Sequence, residues 1–408
     1  MSRFRGIGVV AATALIAMTM AACGSSDSSG DSSPAASSGP KPTGTPLKVM
    51  SVVVDSPKTG FRIPEEFEGV QAAVKYINDN GGINGHPVKA EQCLTDYSVD
   101  QSTACVNKAI KDPAYVALVG SIFTEGAATN PLLEKAKLPN IGAFALTPVD
   151  YSSPSFFPVG IGALESTAAA SILFNDLGLK KIGAYSVKTA GSDTAIAAID
   201  GLLKGKGLKL EQNVVVDAGK QDITAEVSKA LDGTDGVIMS VEPLTTAKFL
   251  KTQITLGSKT PIAFPSLVAP PAVLKTVGGS LDNVYVATSF MPPGTDGEGV
   301  KTFEKQMKDF GVKGVPAEFH QYGWSALQLL VAAAGSDKTI TRESLWNNLN
   351  KLSSFEIKGF SAPEDFTKPQ TVLGGTVPRM FNGTISANRA NADGTVTPLT
   401  GKLTEAFQ

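Results

Sequence analysis

The sequence has only two histidines, three cysteines and two tryptophans in 408 residues, and each scarcity removes a class of chemistry. His86 and His320 stand far apart, and neither has Cys or His neighbours at metal-ligand spacing, so the residues call for no metal and no cofactor. His86 falls in the turn Gly85-His86-Pro87, and His320 begins or caps a helix. A Gly-x-Ser-x-Gly elbow, a Gly-x-x-x-x-Gly-Lys phosphate loop, His-Glu-x-x-His and a complete Gly-x-Gly-x-x-Gly are all missing. The chain therefore reads as a binder and not an enzyme, with an exported α/β hydrolase as the remote alternative.

Charge is equally unhelpful to nucleic acid. Lys plus Arg number 36 against 38 Asp plus Glu, and no concentrated basic face is present to neutralise phosphates. Long apolar runs are also lacking beyond the first 22 residues. There, Arg3 and Arg5 precede an apolar stretch from Ile7 to Ala22, too short to span a bilayer comfortably, and Ala21-Ala22 precede Cys23. Residues 1–22 are expected to be a lipoprotein signal peptide, with Cys23 lipidated and the protein anchored to the outer face of the cell membrane. Plain secretion with cleavage near Ala22 is the alternative. Sixteen of the 24 residues from Cys23 to Pro46 are Ser, Gly or Pro, so 23–46 reads as a disordered tether.

With Cys23 so used, Cys93 and Cys105 remain in an oxidising compartment. The expected reading is a disulfide, with two buried free thiols as the alternative.

Roughly 360 residues follow the tether, more than one core usually organises, so two domains are expected. Strand-like runs recur at Lys48–Val54, Pro87–Leu94, Tyr115–Ser121 and Asn140–Phe144. After a Ser-, Pro- and Phe-rich interruption (Pro148–Gly162), they resume at Lys180–Val187, Leu210–Val216, Gly236–Val241, Pro261–Ser266 and Asn283–Phe290. Helix-patterned segments separate them. In Glu65–Asn80, for example, Phe67, Val70, Ala73, Val74 and Ile77 share a face, Pro64 suits the first turn and Asn80-Gly81-Gly82 stops the helix. Strands alternating with such helices predict an α/β fold of βαβ units with parallel sheets, present twice. Further helices are expected at Gly297–Phe310, Pro316–Ala334 and Arg342–Leu352, followed by short strands and turns. Pro148–Gly162 and Phe290–Gly294 are the expected crossings between lobes.

The run Gly69-Val70-Gln71-Ala72-Ala73-Val74-Lys75-Tyr76-Ile77-Asn78, the turn Gly81-Gly82-Ile83-Asn84-Gly85 and Asp96 resemble the extracellular solute-binding proteins of branched-chain amino acid ABC transporters. The likeness continues through Val119-Gly120-Ser121, Leu138-Pro139-Asn140-Ile141, Phe156-Phe157-Pro158-Val159 and Tyr322-Gly323-Trp324-Ser325-Ala326. It implies the type I periplasmic-binding fold: two Rossmann-like lobes, hinged as a clamshell, that close on a small solute and present it to membrane permease subunits as a monomer. Lobe I is expected over 47–160 plus 291–350, and lobe II over 161–290 plus 351–408. A receptor domain of the same fold, signalling solute occupancy, is the alternative.

The same resemblance assigns a site. Ser121 and Thr124 fall where a hydroxyl and backbone amides hold a ligand carboxylate, and Ala145 and Thr147 where a carbonyl and a hydroxyl meet its polar head. Amino acid binders of this family carry an aromatic near Ala190 and an acid near Ser266, and both are absent here. Glu242 is the candidate replacement for that acid, Lys188 a partner for a ligand carboxylate, and Phe61 and Phe123 apolar walls. Tyr322 is a further cleft candidate, whereas Trp324 and Trp346 read as helix packing.

Overall fold

The computed structural model describes residues 39, 41–56, 61–96, 98–188, 190–217 and 219–407. Cys23, the leader and most of the tether lie outside them.

The first lobe runs β1 (Leu47–Ser56), β2 (Phe61–Arg62), α1 (Pro64–Asp79), β3 (Val88–Thr95), α2 (Val99–Lys111), β4 (Tyr115–Val119), α3 (Gly126–Ala136), β5 (Asn140–Ile141) and β6 (Phe156–Phe157). Strands β3, β1, β4, β5 and β6 lie side by side and parallel, and β2 pairs antiparallel with the end of β1. Helices cover this sheet, so β4 (Tyr-Val-Ala-Leu-Val) is buried at every position, as a strand packed on both faces must be.

The chain then enters the second lobe through α4 (Glu165–Ser171), β7 (Ile182–Val187), α5 (Ala190–Gly205), β8 (Leu210–Val216), α6 (Thr224–Leu231), β9 (Gly236–Ser240), α7 (Pro243–Thr255), β10 (Ile262–Pro265), α8 (Pro271–Val277) and β11 (Val284–Thr288). Here the parallel order is β8, β7, β9, β10, β11. It returns to the first lobe through α9 (Glu298–Phe310), α10 (Glu318–Ala334) and α11 (Arg342–Leu349), whose Val300, Phe303, Leu327 and Leu345 join the first core. Phe355, Phe360, Phe366 and Phe381 also pack in that core. The chain rejoins the second sheet with β12 (Thr384–Ala390), antiparallel to β11, then β13 (Val396–Pro398) and β14 (Thr404–Glu405). It therefore crosses three times between lobes: after β6, after β11, and near residue 382.

Local chemistry explains the turn after α1. The Gly81 and Gly82 amides donate back to the Asn78 and Ile77 carbonyls, ending the helix. Gly82 takes φ +73°, and a Cβ there would lie 2.2 Å from the His86 carbonyl oxygen, so only glycine fits. The Asn78 side chain donates to the Val88 carbonyl and accepts from its amide, at 2.9 and 2.8 Å, fixing the helix end to β3. Gly323 makes a second close approach possible. A Cβ there would meet the Glu66 carbonyl oxygen at 2.0 Å, so α10 and α1 cross nearly backbone to backbone.

Cys93 of β3 and Cys105 of α2 form a disulfide with a Cα–Cα distance of 5.9 Å. It fastens α2 to the strand at the sheet's edge. The sequence separation of 12 closes a short loop, for which chain entropy predicts a loss of about 3 kcal/mol in the Cys93→Ala/Cys105→Ala double variant. Urea unfolding of the two proteins should show that difference, and two titratable thiols in the unreduced protein would rule the bond out.

Candidate functional site

In both lobes the loops beyond the carboxyl ends of the parallel strands are where an open α/β sheet binds ligands. Ser121 follows β4, is buried, and its hydroxyl accepts the Val52 amide hydrogen at 3.2 Å. Thr124, three residues on, donates its hydroxyl to the Glu125 carboxylate, whose other oxygen receives the Ser102 hydroxyl at 2.7 Å. Phe123 is buried in the core packed around the disulfide and so forms no exposed wall. The side chain of Phe61 lies outside the described residues.

The next loop is organised by Asp150, which the sequence reading did not single out. Its carboxylate accepts the amides of Leu146 and Thr147 at 3.1 and 2.8 Å, the Thr147 hydroxyl at 2.8 Å and the Asn130 amide at 3.0 Å. Burial raises its pKa, and these donors oppose the shift. Thr147 thus reaches the site already oriented. The Ala145 carbonyl oxygen accepts the Ala163 amide at 2.8 Å, while the Tyr151 hydroxyl, 3.3 Å away, donates its one hydrogen to the Ile161 carbonyl at 2.8 Å.

In the second lobe Lys188 is exposed just past β7, and Glu242 precedes α7, half-buried, with its carboxylate accepting the Thr245 hydroxyl. Ser266 follows β10 and donates its hydroxyl across the lobe junction to Glu318 at the start of α10. An acid is therefore present beside Ser266 after all, contributed by the other lobe. Leu267 packs against the cores of both lobes.

Tyr322 does not line a cleft. It is fully buried, with its hydroxyl accepting the Gly162 amide at 3.2 Å and standing 2.7 Å from the Ser289 hydroxyl and 3.1 Å from Glu165, its one hydrogen serving either. Trp324 is core, its ring nitrogen donating to Gln306 at 2.8 Å, and Trp346 packs edge-on against Phe157.

A cavity of about 940 Å³ includes Thr147, while Ser121, Thr124, Lys188, Glu242 and Ser266 lie outside its lining. Leu146, Thr147 and Pro148 form one wall, and Leu164, Thr167, Ala198 and Leu202 of α4, α5 and their approach form the other, so both lobes contribute. The exposed lining is mostly apolar. Another cavity, about 970 Å³, lies among residues 295–297, 359–363 and 398–403 and contains none of the strand-end residues, so chemistry favours the first.

The family of periplasmic binding proteins matches residues 64–377. The chain belongs to it. Among solved structures, an ABC transporter substrate-binding protein from Sphaerobacter thermophilus aligns with TM-score 0.73 and 18% identity over 89% of this chain and 98% of its own. A fatty acid ABC transporter substrate-binding protein from Thermomonospora curvata gives 0.72 and 17% over 90% and 94%. A leucine-binding protein from Thermotoga maritima gives 0.68 and 16% over 88% and 99%. At these identities the likeness is one of fold. No curated protein sequence matches. This periplasmic binding protein thus has the type I architecture of two lobes with helix-flanked parallel sheets, and its structural relatives are named as binding proteins. Among its described residues no helix is long and apolar enough to cross a membrane.

Sequence reasoning located the loops but missed Asp150, Glu165, Ser289 and Glu318, whose partners stand up to 157 residues away. Asp150→Ala in this binding protein leaves two backbone amides and the Thr147 hydroxyl without their acceptor. A loss of about 2–3 kcal/mol in denaturant unfolding is expected, and a loss under about 0.5 kcal/mol would show that Asp150 does not hold this loop.

Proposed function

We propose that this protein is the extracytoplasmic solute-binding subunit of an ABC importer, capturing a small solute between its lobes and delivering it to permease subunits in the membrane. The observation that carries the reading is the cavity shared by Leu146-Thr147-Pro148 of one lobe and α4 and α5 of the other. A ligand favours lobe closure only by its differential affinity for the closed arrangement, so a site walled by both lobes is what capture requires.

The solute that suits these walls has a polar head and an apolar body. Thr147 lines the cavity with its hydroxyl and amide fixed by Asp150, and Thr124, Lys188 and Glu242 stand at strand ends outside that lining. The rest of the lining is mainly aliphatic. A branched-chain or aromatic amino acid, a related amide or a fatty carboxylate meets both demands. The named ligands of two structural relatives, leucine and fatty acid, fall within this range. Micromolar affinity needs about 8 kcal/mol, which a few charge-assisted hydrogen bonds and the burial of one aliphatic group supply after ordering costs.

A thermal-shift screen of residues 46–408 against amino acids, amides, short and long carboxylates and sugars tests the reading. One class should stabilise the fold by about 2.7 kcal/mol at a hundredfold excess over its dissociation constant. For that ligand, Thr147→Ala is expected to weaken binding about tenfold, equivalent to about 1.4 kcal/mol. Silence from every class, or unchanged affinity in the variant, would remove the site assignment.

A further inference from the structure

At the junction where the chain twice passes between lobes, two carboxyl groups are buried against each other. Glu165 opens α4, just after the first crossing, and Glu318 opens α10, which follows α9 on the chain's return to the first lobe. Both are buried, and their carboxyl groups meet at Ser289. Ser289, in the second crossing, serves both: its hydroxyl donates to Glu165 Oε1 and its amide to Glu318 Oε1. The Tyr322 hydroxyl stands 2.7 Å from the Ser289 hydroxyl and 3.1 Å from the same Glu165 oxygen, its one hydrogen serving either, and Ser266 at the end of β10 donates to Glu318 Oε2. Glu165 Oε2 receives no N–H or hydroxyl hydrogen from any side chain or backbone group.

Two carboxylates in contact, both cut off from water, repel too strongly to be ionised together. A carboxyl–carboxyl hydrogen bond also needs a hydrogen, and neither partner has one when both are charged. We propose that Glu165 and Glu318 hold a shared proton across the lobe junction, and that this bond is a latch fixing the lobe arrangement in which the solute is held. Both residues act as positioning groups through Ser266, Ser289 and the crossing backbone.

Among the described residues no basic side chain is bonded to the pair. The titratable groups facing the pair are Tyr322 and Tyr151, both kept protonated by burial. His320, two residues from Glu318, turns to Glu68, and Arg379 of the third crossing donates to the Phe156 carbonyl. Burial raises Glu318 to about 7, and burial together with the Glu318 charge raises Glu165 well above its ordinary value. For an acid whose folded pKa lies above its unfolded value near 4.5, the folded state retains a proton that the unfolded chain has released. Stability contributed by the latch therefore falls as pH rises from about 5 through 7 and beyond.

Glutamine at Glu165 reproduces the protonated acid permanently, since its amide N–H donates to Glu318 while its oxygen still accepts from Ser289 and Tyr322. The experiment compares wild type, Glu165→Gln and Glu165→Ala from pH 5.5 to 8.5 without ligand, by melting temperature and by small-angle scattering. Wild type should lose roughly 3–6 °C more than Glu165→Gln across this range. Its radius of gyration should grow with pH while that of Glu165→Gln stays constant, and Glu165→Ala should be expanded throughout. Parallel melting profiles for wild type and Glu165→Gln, or a pH-independent wild-type radius of gyration, would overturn the latch. These readouts need no solute and stand apart from the solute-binding reading. The capture role alone rests on that reading, and predicts that the pH dependence of affinity for the ligand found in the screen is flattened in Glu165→Gln.

Discussion

Burying two acids at the point where two lobes meet constrains the rest of this molecule. Each lobe has its own helix-covered parallel sheet, and one hydrophobic core, with Ala145 and Phe156 beside Ile182 and Ala263, runs across their junction. Hydrophobic burial is non-directional, so that shared core does not by itself specify how the lobes sit against each other. Directional bonds supply that information. Glu165, Ser289, Glu318 and Tyr322 come from both crossings and from α10, and their hydrogen bonds have geometry as well as strength. A buried polar group left without its partner costs more than the paired group contributes, so partial disruption of this cluster is heavily disfavoured. The third crossing is held differently. There the Arg379 guanidinium sits 4.6 Å from the Phe157 ring and 4.8 Å from the Phe381 ring, and its Nε and one terminal nitrogen share the Phe156 carbonyl.

The architecture was legible because its periodicities are strong. A continuous apolar run such as Leu-Lys-Val-Met-Ser-Val-Val-Val reads as a strand covered on both faces, and the apolar stripe of α1 and its Gly-Gly stop read as one amphipathic helix. The helices α2, α3 and α6 were not singled out. In α2 only Ser102, Cys105, Val106 and Ala109 are buried, a sparse stripe whose clearest signal is local, the Ser98 hydroxyl accepting the Gln101 amide hydrogen as an N-cap. Strands β5 and β6 have two residues each, too few for any period to show. The expected lobe boundary at 350/351 falls ahead of Phe355, Phe360, Phe366 and Phe381, in a segment where the rings of Phe360 and Phe366 meet Phe157, Phe290 and Phe303 by purely tertiary contacts that no local period announces.

The site was legible to the level of loops and not of atoms. Strand ends can be placed from sequence, and Ser121, Thr124, Thr147, Glu242 and Ser266 do follow parallel strands or their turns. What each polar atom does was invisible. Glu318 reads in sequence as an acid suited to the first turn of a helix, where the macrodipole favours negative charge. Only the fold shows it buried 52 residues away from Ser266 and in contact with an acid from the other lobe.

The internal pairing of the strand-end groups also bears on how such a site works. A hydroxyl that must turn from water to the ligand at the moment of binding carries an ordering cost of about 0.5–1.5 kcal/mol for each immobilised side chain. Thr147 has met that cost on folding, because Asp150 fixes both its amide and its hydroxyl. Its hydroxyl donates to the carboxylate and so presents lone pairs outward, making it an acceptor for a ligand N–H. Thr124 is set in the same way by Glu125.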